Sequence, residues 1–129
     1  MLSCYPAILN SSDFLKKKYA QSIYGTSTIP SHNFLNHQWL TIKDDKVVNP
    51  YKALPPMFDG FAEELNNKEF KGEQVKDGGE ALTAYSILQY ADLSDVERQA
   101  LTQSLLRYCE LDTLAMVMIY EAWKDWVSI

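Results

Sequence analysis

The chain has 129 residues, of which 47% are apolar and 12% aromatic; this excludes a disordered chain and is enough for one folded domain with its own core. The formal net charge of −5 repels phosphate backbones at long range, so composition alone gives no support for nucleic-acid binding. Two widely separated cysteines, Cys4 and Cys109, make no disulfide framework, Met1–Pro6 has no basic-then-apolar leader, and the run Leu114–Tyr120 is too short to span a membrane, which together imply a reducing, cytoplasmic setting.

In chain order, the apolar segment Leu2, Tyr5, Ile8, Leu9 starts without a lead-in, as a piece of a longer protein would. Asn10-Ser11-Ser12 offers N-caps, and Phe14, Leu15, Tyr19, Ile23 and Tyr24 recur at helical spacing, so a helix is expected from there to Gly25. Lys16-Lys17-Lys18 on that helix reads as a solvated face. Residues 26–38 read as loop, with His32 and His37 as ordinary loop residues. Trp39–Lys43 and Val47-Val48 flank the polar Asp44-Asp45-Lys46, a pattern that predicts a small β-hairpin. Asn49–Pro56 is a proline-fixed irregular segment, 57–66 a candidate short helix, and 67–77 a charged stretch expected to be mobile. Gly78-Gly79 gives the turn geometry ahead of a helix carrying Ala81, Leu82, Tyr85 and Leu88.

The last element carries the clearest signal. Ser94-Asp95-Val96-Glu97 is a capping box, and neither Gly nor Pro occurs from there to Trp126. So long a stretch predicts a break or bend near Tyr108–Thr113. Cys109 reads as a small buried hydrophobe, Glu80 and Glu110 as solvated, and Trp39, Trp123 and Trp126 as core or an aromatic surface.

Tyr108 and Asp112 stand one helical turn apart. An acid among apolar residues needs a partner, since an unpaired buried charge is costly. Two partners fit: a divalent metal, or the backbone amides of a helix that restarts at Asp112.

Tyr-x-x-x-Asp is also the third motif of the DEDDy 3′–5′ exonucleases of the ribonuclease H-like superfamily. The segments Asn49–Pro56, Asp77-Gly78-Gly79-Glu80-Ala81 and Tyr108–Val117, with Ala7–Ser12, resemble a prokaryotic domain family of unknown function placed near those enzymes. The resemblance covers about residue 6 to residue 123. It implies that Asp112 binds catalytic Mg²⁺ or Mn²⁺ and that Tyr108 orients the attacking water, with metal-activated water cleaving a phosphodiester. The pattern is incomplete here. The first acidic motif is missing, because the Asp-x-Glu at Asp95–Glu97 is explained by capping, and no Asp follows Ser31-His32-Asn33-Phe34 at the spacing of the second.

The expected fold is therefore mainly α, a helical domain (1–129) with one small hairpin, similar to the C-terminal portion of a ribonuclease H-like exonuclease without its central sheet. Three functions remain open. One is a nuclease-derived piece, inactive alone, that meets nucleic acid only with the missing upstream part. The second is a helical interaction or homodimerisation module using Leu2, Tyr5 or the Trp123/Trp126 end. The third is a structural domain in which Asp112 is a cap.

Overall fold

A computed structural model describes residues 4–54 and 79–128. The candidate helix at 57–66 and the charged stretch 67–77 lie outside these residues, as does Leu2. The described residues are mainly helical: α1 (Tyr5–Ser11), α2 (Asp13–Tyr19), strands β1 (Ile42–Lys43) and β2 (Lys46–Val47), a 3₁₀ turn (Pro50–Ala53), α3 (Gly79–Tyr90) and α4 (Asp95–Val127). The chain divides into two compact units, Met1–Leu54 with Cys109–Ile129, and Pro55–Tyr108.

In the first unit the helix expected from the Asn10-Ser11-Ser12 caps to Gly25 starts at Asp13 as expected but ends at Tyr19, and a separate short helix, α1, precedes it. Ser12 breaks the chain with extended backbone (φ −102°, ψ 105°), and its buried hydroxyl caps α2 by accepting from the Leu15 N–H at 3.1 Å. Upstream, Tyr5, Ile8 and Leu9 already follow helical spacing, and Pro6 suits a first turn, so α1 forms where no helix was expected. Downstream, α2 stops at Tyr19. The carbonyl of Tyr19 accepts the N–H groups of Trp39 (3.1 Å) and Leu40 (2.9 Å), which pins the far end of the following loop. Gly25 is thus no helix terminator. It sits at φ +77° where an added Cβ would lie 2.1 Å from the Phe34 carbonyl oxygen, so the loop folds onto its backbone.

The hairpin forms as expected but shorter. Ile42 pairs with Val47 and Lys43 with Lys46, and the two turn residues, Asp44 (φ +53°) and Asp45 (φ +62°), both take the left-handed backbone of a type I′ turn. Asn10 of α1 holds it by accepting from the Val47 N–H at 2.8 Å. The core of this unit is Tyr5, Leu9, Leu15, Tyr19, Tyr24, Trp39 and Leu40 against Leu111, Leu114, Ala115, Met118, Ile119 and Ala122 of α4.

The second unit packs Ala84 and Ile87 of α3 with Leu101 of α4, flanked by Ala81, Leu88, Leu93, Leu105 and Tyr108. Its capping box is reciprocal as expected, with Glu97 N–H to Ser94 Oγ at 3.2 Å and Ser94 N–H to Glu97 Oε1 at 3.4 Å. The break expected near Tyr108–Thr113 does not occur: α4 is helical through those positions. No helix among the described residues is long and apolar enough to cross a membrane.

Candidate functional site

Within the first unit α4 buries a stripe made of Leu111, Leu114, Ala115, Met118, Ile119 and Ala122. At about 100° per residue, Glu110 and Glu121 fall along one edge of that stripe and Asp112 along the other. Each of these carboxylates accepts from a tyrosine hydroxyl of a different N-terminal segment. Glu121 takes Tyr19 Oη at 2.5 Å and the Lys18 ammonium at 2.6 Å. Glu110 takes Tyr24 Oη at 2.6 Å. Asp112 takes the hydroxyl of Tyr51, on the 3₁₀ turn.

Glu110 is the most engaged acid. Besides Tyr24, Ser31 Oγ donates to it at 2.5 Å and Asn33 Nδ2 at 2.6 Å. The Ser31 oxygen in turn accepts from the N–H groups of Asn33 and Phe34, both at 3.1 Å. Burial pushes the Glu110 carboxyl upward, but the three donors and the nearby His32 outweigh it and hold the group below its usual range. The expectation of a solvated Glu110 is corrected: three side chains organise the 24–34 loop around this carboxylate. Its sequence signal was the helical register beside the apolar stripe, which places residue 110 at the edge of the core.

The same contacts act on the tyrosines. Burial first, then the adjoining Glu121 and Glu110, push the hydroxyls of Tyr19 and Tyr24 well above the ordinary tyrosine value, and burial alone does so for Tyr5, which donates to the Met118 sulfur at 2.9 Å. His37 is no bare loop residue either. It is wedged in an aromatic cluster, 5.0 Å from the Phe34 ring and 4.3 Å from Trp39, and burial lowers its pKa.

Of the residues singled out from sequence, Asp112 lies inside the unbroken α4, half-buried, so it caps no helix start. The ring of Tyr108 packs with the second unit's cluster, while Asp112 is engaged with Tyr51 in the first. Sequence reasoning missed Tyr51, although it lies in the quoted Asn49–Pro56 segment. Among the described residues no group of three or more His, Cys, Asp or Glu could hold a metal ion. The geometry explains this, since Glu110 and Asp112 leave the helix about 200° apart, and Glu121 follows Glu110 about 16 Å further along the axis. Asp112 would be one ligand of a set, and the described residues do not complete that set. Cys109 is exposed and free, and not the buried hydrophobe expected; Trp123 and Trp126 are on the surface, whereas Trp39 is core.

No protein-family model matches the chain, and no curated protein or solved structure is similar to it.

Proposed function

We propose that this chain is the C-terminal part of a nuclease-like domain of the DEDDy 3′–5′ type. In this reading it hydrolyses no phosphodiester alone, and Asp112 is its contribution to a Mg²⁺ or Mn²⁺ site completed elsewhere. One observation supports the reading above the others. The Tyr51 hydroxyl joins Asp112, so two of the segments that carry the resemblance, Asn49–Pro56 and Tyr108–Val117, meet at the acid that the resemblance assigns to metal. Tyr51 holds one carboxylate oxygen, Oδ1, and thereby orients the side chain.

The test is thermal melting with and without Mn²⁺, comparing the wild type with Asp112→Asn, which preserves shape and the Tyr51 contact. At ten times Kd, bound metal stabilises by about 1.4 kcal/mol, a few degrees in Tm. Wild type should gain this and Asp112→Asn should not; equal curves overturn the reading.

A second reading, a helical association module, has its own support. Cys109, Thr113, Met116, Tyr120, Trp123 and Val127 repeat on α4 at alternating spacings of four and three, opposite the buried stripe. The last four are 56–75% exposed. Such a seam suits a partner helix. Sedimentation velocity over a wide concentration series should show association that Trp123→Glu abolishes; a monomer throughout removes self-association. The Tyr5 patch named from sequence does not contribute, because Tyr5 is fully buried in its own unit.

A further inference from the structure

An open cleft of about 620 Å³ runs between the N-terminus of α1, the hairpin and the 3₁₀ turn, and its lining includes Lys43, Lys46, Lys52, Asn49 and Pro6. Three lysines face one acid there, Asp44, in a chain whose overall charge is −5. Among the described residues the ion pairs are Lys16–Asp13 and Lys18–Glu121, so none of these three lysines is neutralised by a partner. The hairpin register adds an independent observation. Lys43 and Lys46 stand directly opposite each other across the strands. Like charges in that position destabilise a sheet, and an acid in either place would relieve the repulsion. The pair sits beside a turn already strained by two left-handed aspartates. The positive charge in this place therefore lowers local stability, as a departure from the local rules at a binding surface would.

The chemistry of the ligand follows from the donors. Lysine ammoniums are mobile point charges without the planar fork of arginine, so they suit a row of phosphate oxygens and carry little base selectivity. Lys52 directly follows Tyr51, the residue that holds Asp112, so the cleft and that acid share the 3₁₀ turn.

We propose that the cleft of Lys43, Lys46 and Lys52 binds the phosphate backbone of a nucleic-acid strand without reading its sequence. The choice of a nucleic acid among phosphate polyanions rests on the nuclease-like reading above. The site compensates locally for a chain that is acidic as a whole.

Fluorescence anisotropy of labelled oligothymidylate and oligouridylate with the intact chain tests this. At low salt both should bind weakly and alike, with log Kobs falling against log[salt] at a slope of about −2, as three contacts at ~0.7 each give for a single strand. Lys43→Glu is the decisive variant. It should weaken binding several-fold and flatten the slope, and at the same time raise Tm by pairing with Lys46 across the strands. A variant that loses binding only because it unfolds would lower Tm instead. Lys17→Gln, away from the cleft, should leave binding unchanged. Oligonucleotide binding that Lys43→Glu, Lys46→Gln and Lys52→Gln together do not alter overturns the proposal, as does an absence of binding at low salt. Displacement by inorganic phosphate beyond the effect of chloride at equal ionic strength would mean a small-anion site, and stronger lysine-dependent binding to phosphatidylserine vesicles a membrane surface; either overturns the nucleic-acid assignment. Lysine-dependent strand binding without any Mn²⁺ effect at Asp112 would support the cleft and remove the nuclease-like reading, so the two failures are distinguishable.

Discussion

Removing the Glu110 carboxylate should undo the 24–34 loop, and the structure sets the size of the effect. Tyr24, Ser31 and Asn33 all donate to it at 2.5–2.6 Å. A hydrogen bond to a charged acceptor contributes about 1.5–3 kcal/mol, and a stranded buried donor costs about 1–3 kcal/mol. Ser31 and Asn33 are half-buried and can turn to water, so only Tyr24, which is 6% exposed, counts in full. For Glu110→Ala this gives a loss of about 2–4 kcal/mol, a large share of the ~5–15 kcal/mol typical of a domain. Glu110→Gln should cost less, about 1–2 kcal/mol, because its amide oxygen still accepts while its NH₂ opposes one donor. Urea unfolding followed by tryptophan fluorescence measures both, and Tyr24→Phe closes a double-mutant cycle. On the wild type Tyr24→Phe should cost about 1 kcal/mol; on Glu110→Ala it should stabilise by about 1 kcal/mol or more, since it removes a donor already stranded. A Glu110→Ala protein within about 0.5 kcal/mol of wild type, or additive single changes, would show that the carboxylate does not organise the loop.

Other outcomes follow from the same geometry. Gly25→Ala should cost at least about 3 kcal/mol, because its Cβ meets the backbone of Phe34 and Leu35, which cannot swing aside; near-UV circular dichroism and melting report it. Asp45→Gly should stabilise by about 0.5 kcal/mol by removing a side chain from a left-handed turn position, read as a rise in Tm. Stability should fall in two stages on acidification. His37 is neutral in the fold with a pKa below its ordinary 6.5, so the unfolded chain binds the extra proton first and stability drops as pH falls below 6.5. Glu110 is held below 4.5, so its contribution, present above 4.5, is lost as pH falls through its folded value. At the alkaline end Tyr5, Tyr19 and Tyr24 titrate above 10.0, so their contribution is whole below 10.0 and lost as pH rises beyond it. Urea midpoints across a pH series check all of this, and His37→Gln should flatten the first acidic limb only.

What could be read in the sequence is local. The capping box at Ser94–Glu97, the hairpin around Asp44-Asp45 and the helical character of residues after Gly79 each depend on neighbours within a few positions. What could not be read depends on distant partners. Residues 20–24 continue a helical pattern, yet the Tyr19 carbonyl takes the N–H groups of Trp39 and Leu40, and Tyr24 pairs its backbone with His37 in both directions, at 2.7 and 3.3 Å. Propensity lost to tertiary hydrogen bonding there. The break expected in α4 failed for a related reason, since length argues for a break only when nothing packs along the helix, and both hydrophobic clusters include α4 residues. Of the candidate site, the positions of the acids were legible and their partners were not. Tyr24, Ser31, Asn33 and Tyr51 reach α4 across 61 to 86 residues of chain.

The three acids of α4 that accept from tyrosines separate structural use from chemical use more sharply than any one of them alone. A carboxylate that serves only to accept from a tyrosine can be replaced by its amide, which offers the same oxygen and a similar shape. Glu121 goes further, because Lys18 makes the charge itself matter. Asp112 has no cation of this kind beside it among the described ion pairs, and a tyrosine hydroxyl is satisfied by a neutral oxygen. If Tyr51 were its whole purpose, asparagine would serve at position 112 at little cost. Asp112→Asn should therefore leave apo stability within about 0.5 kcal/mol of wild type while removing any response to Mn²⁺.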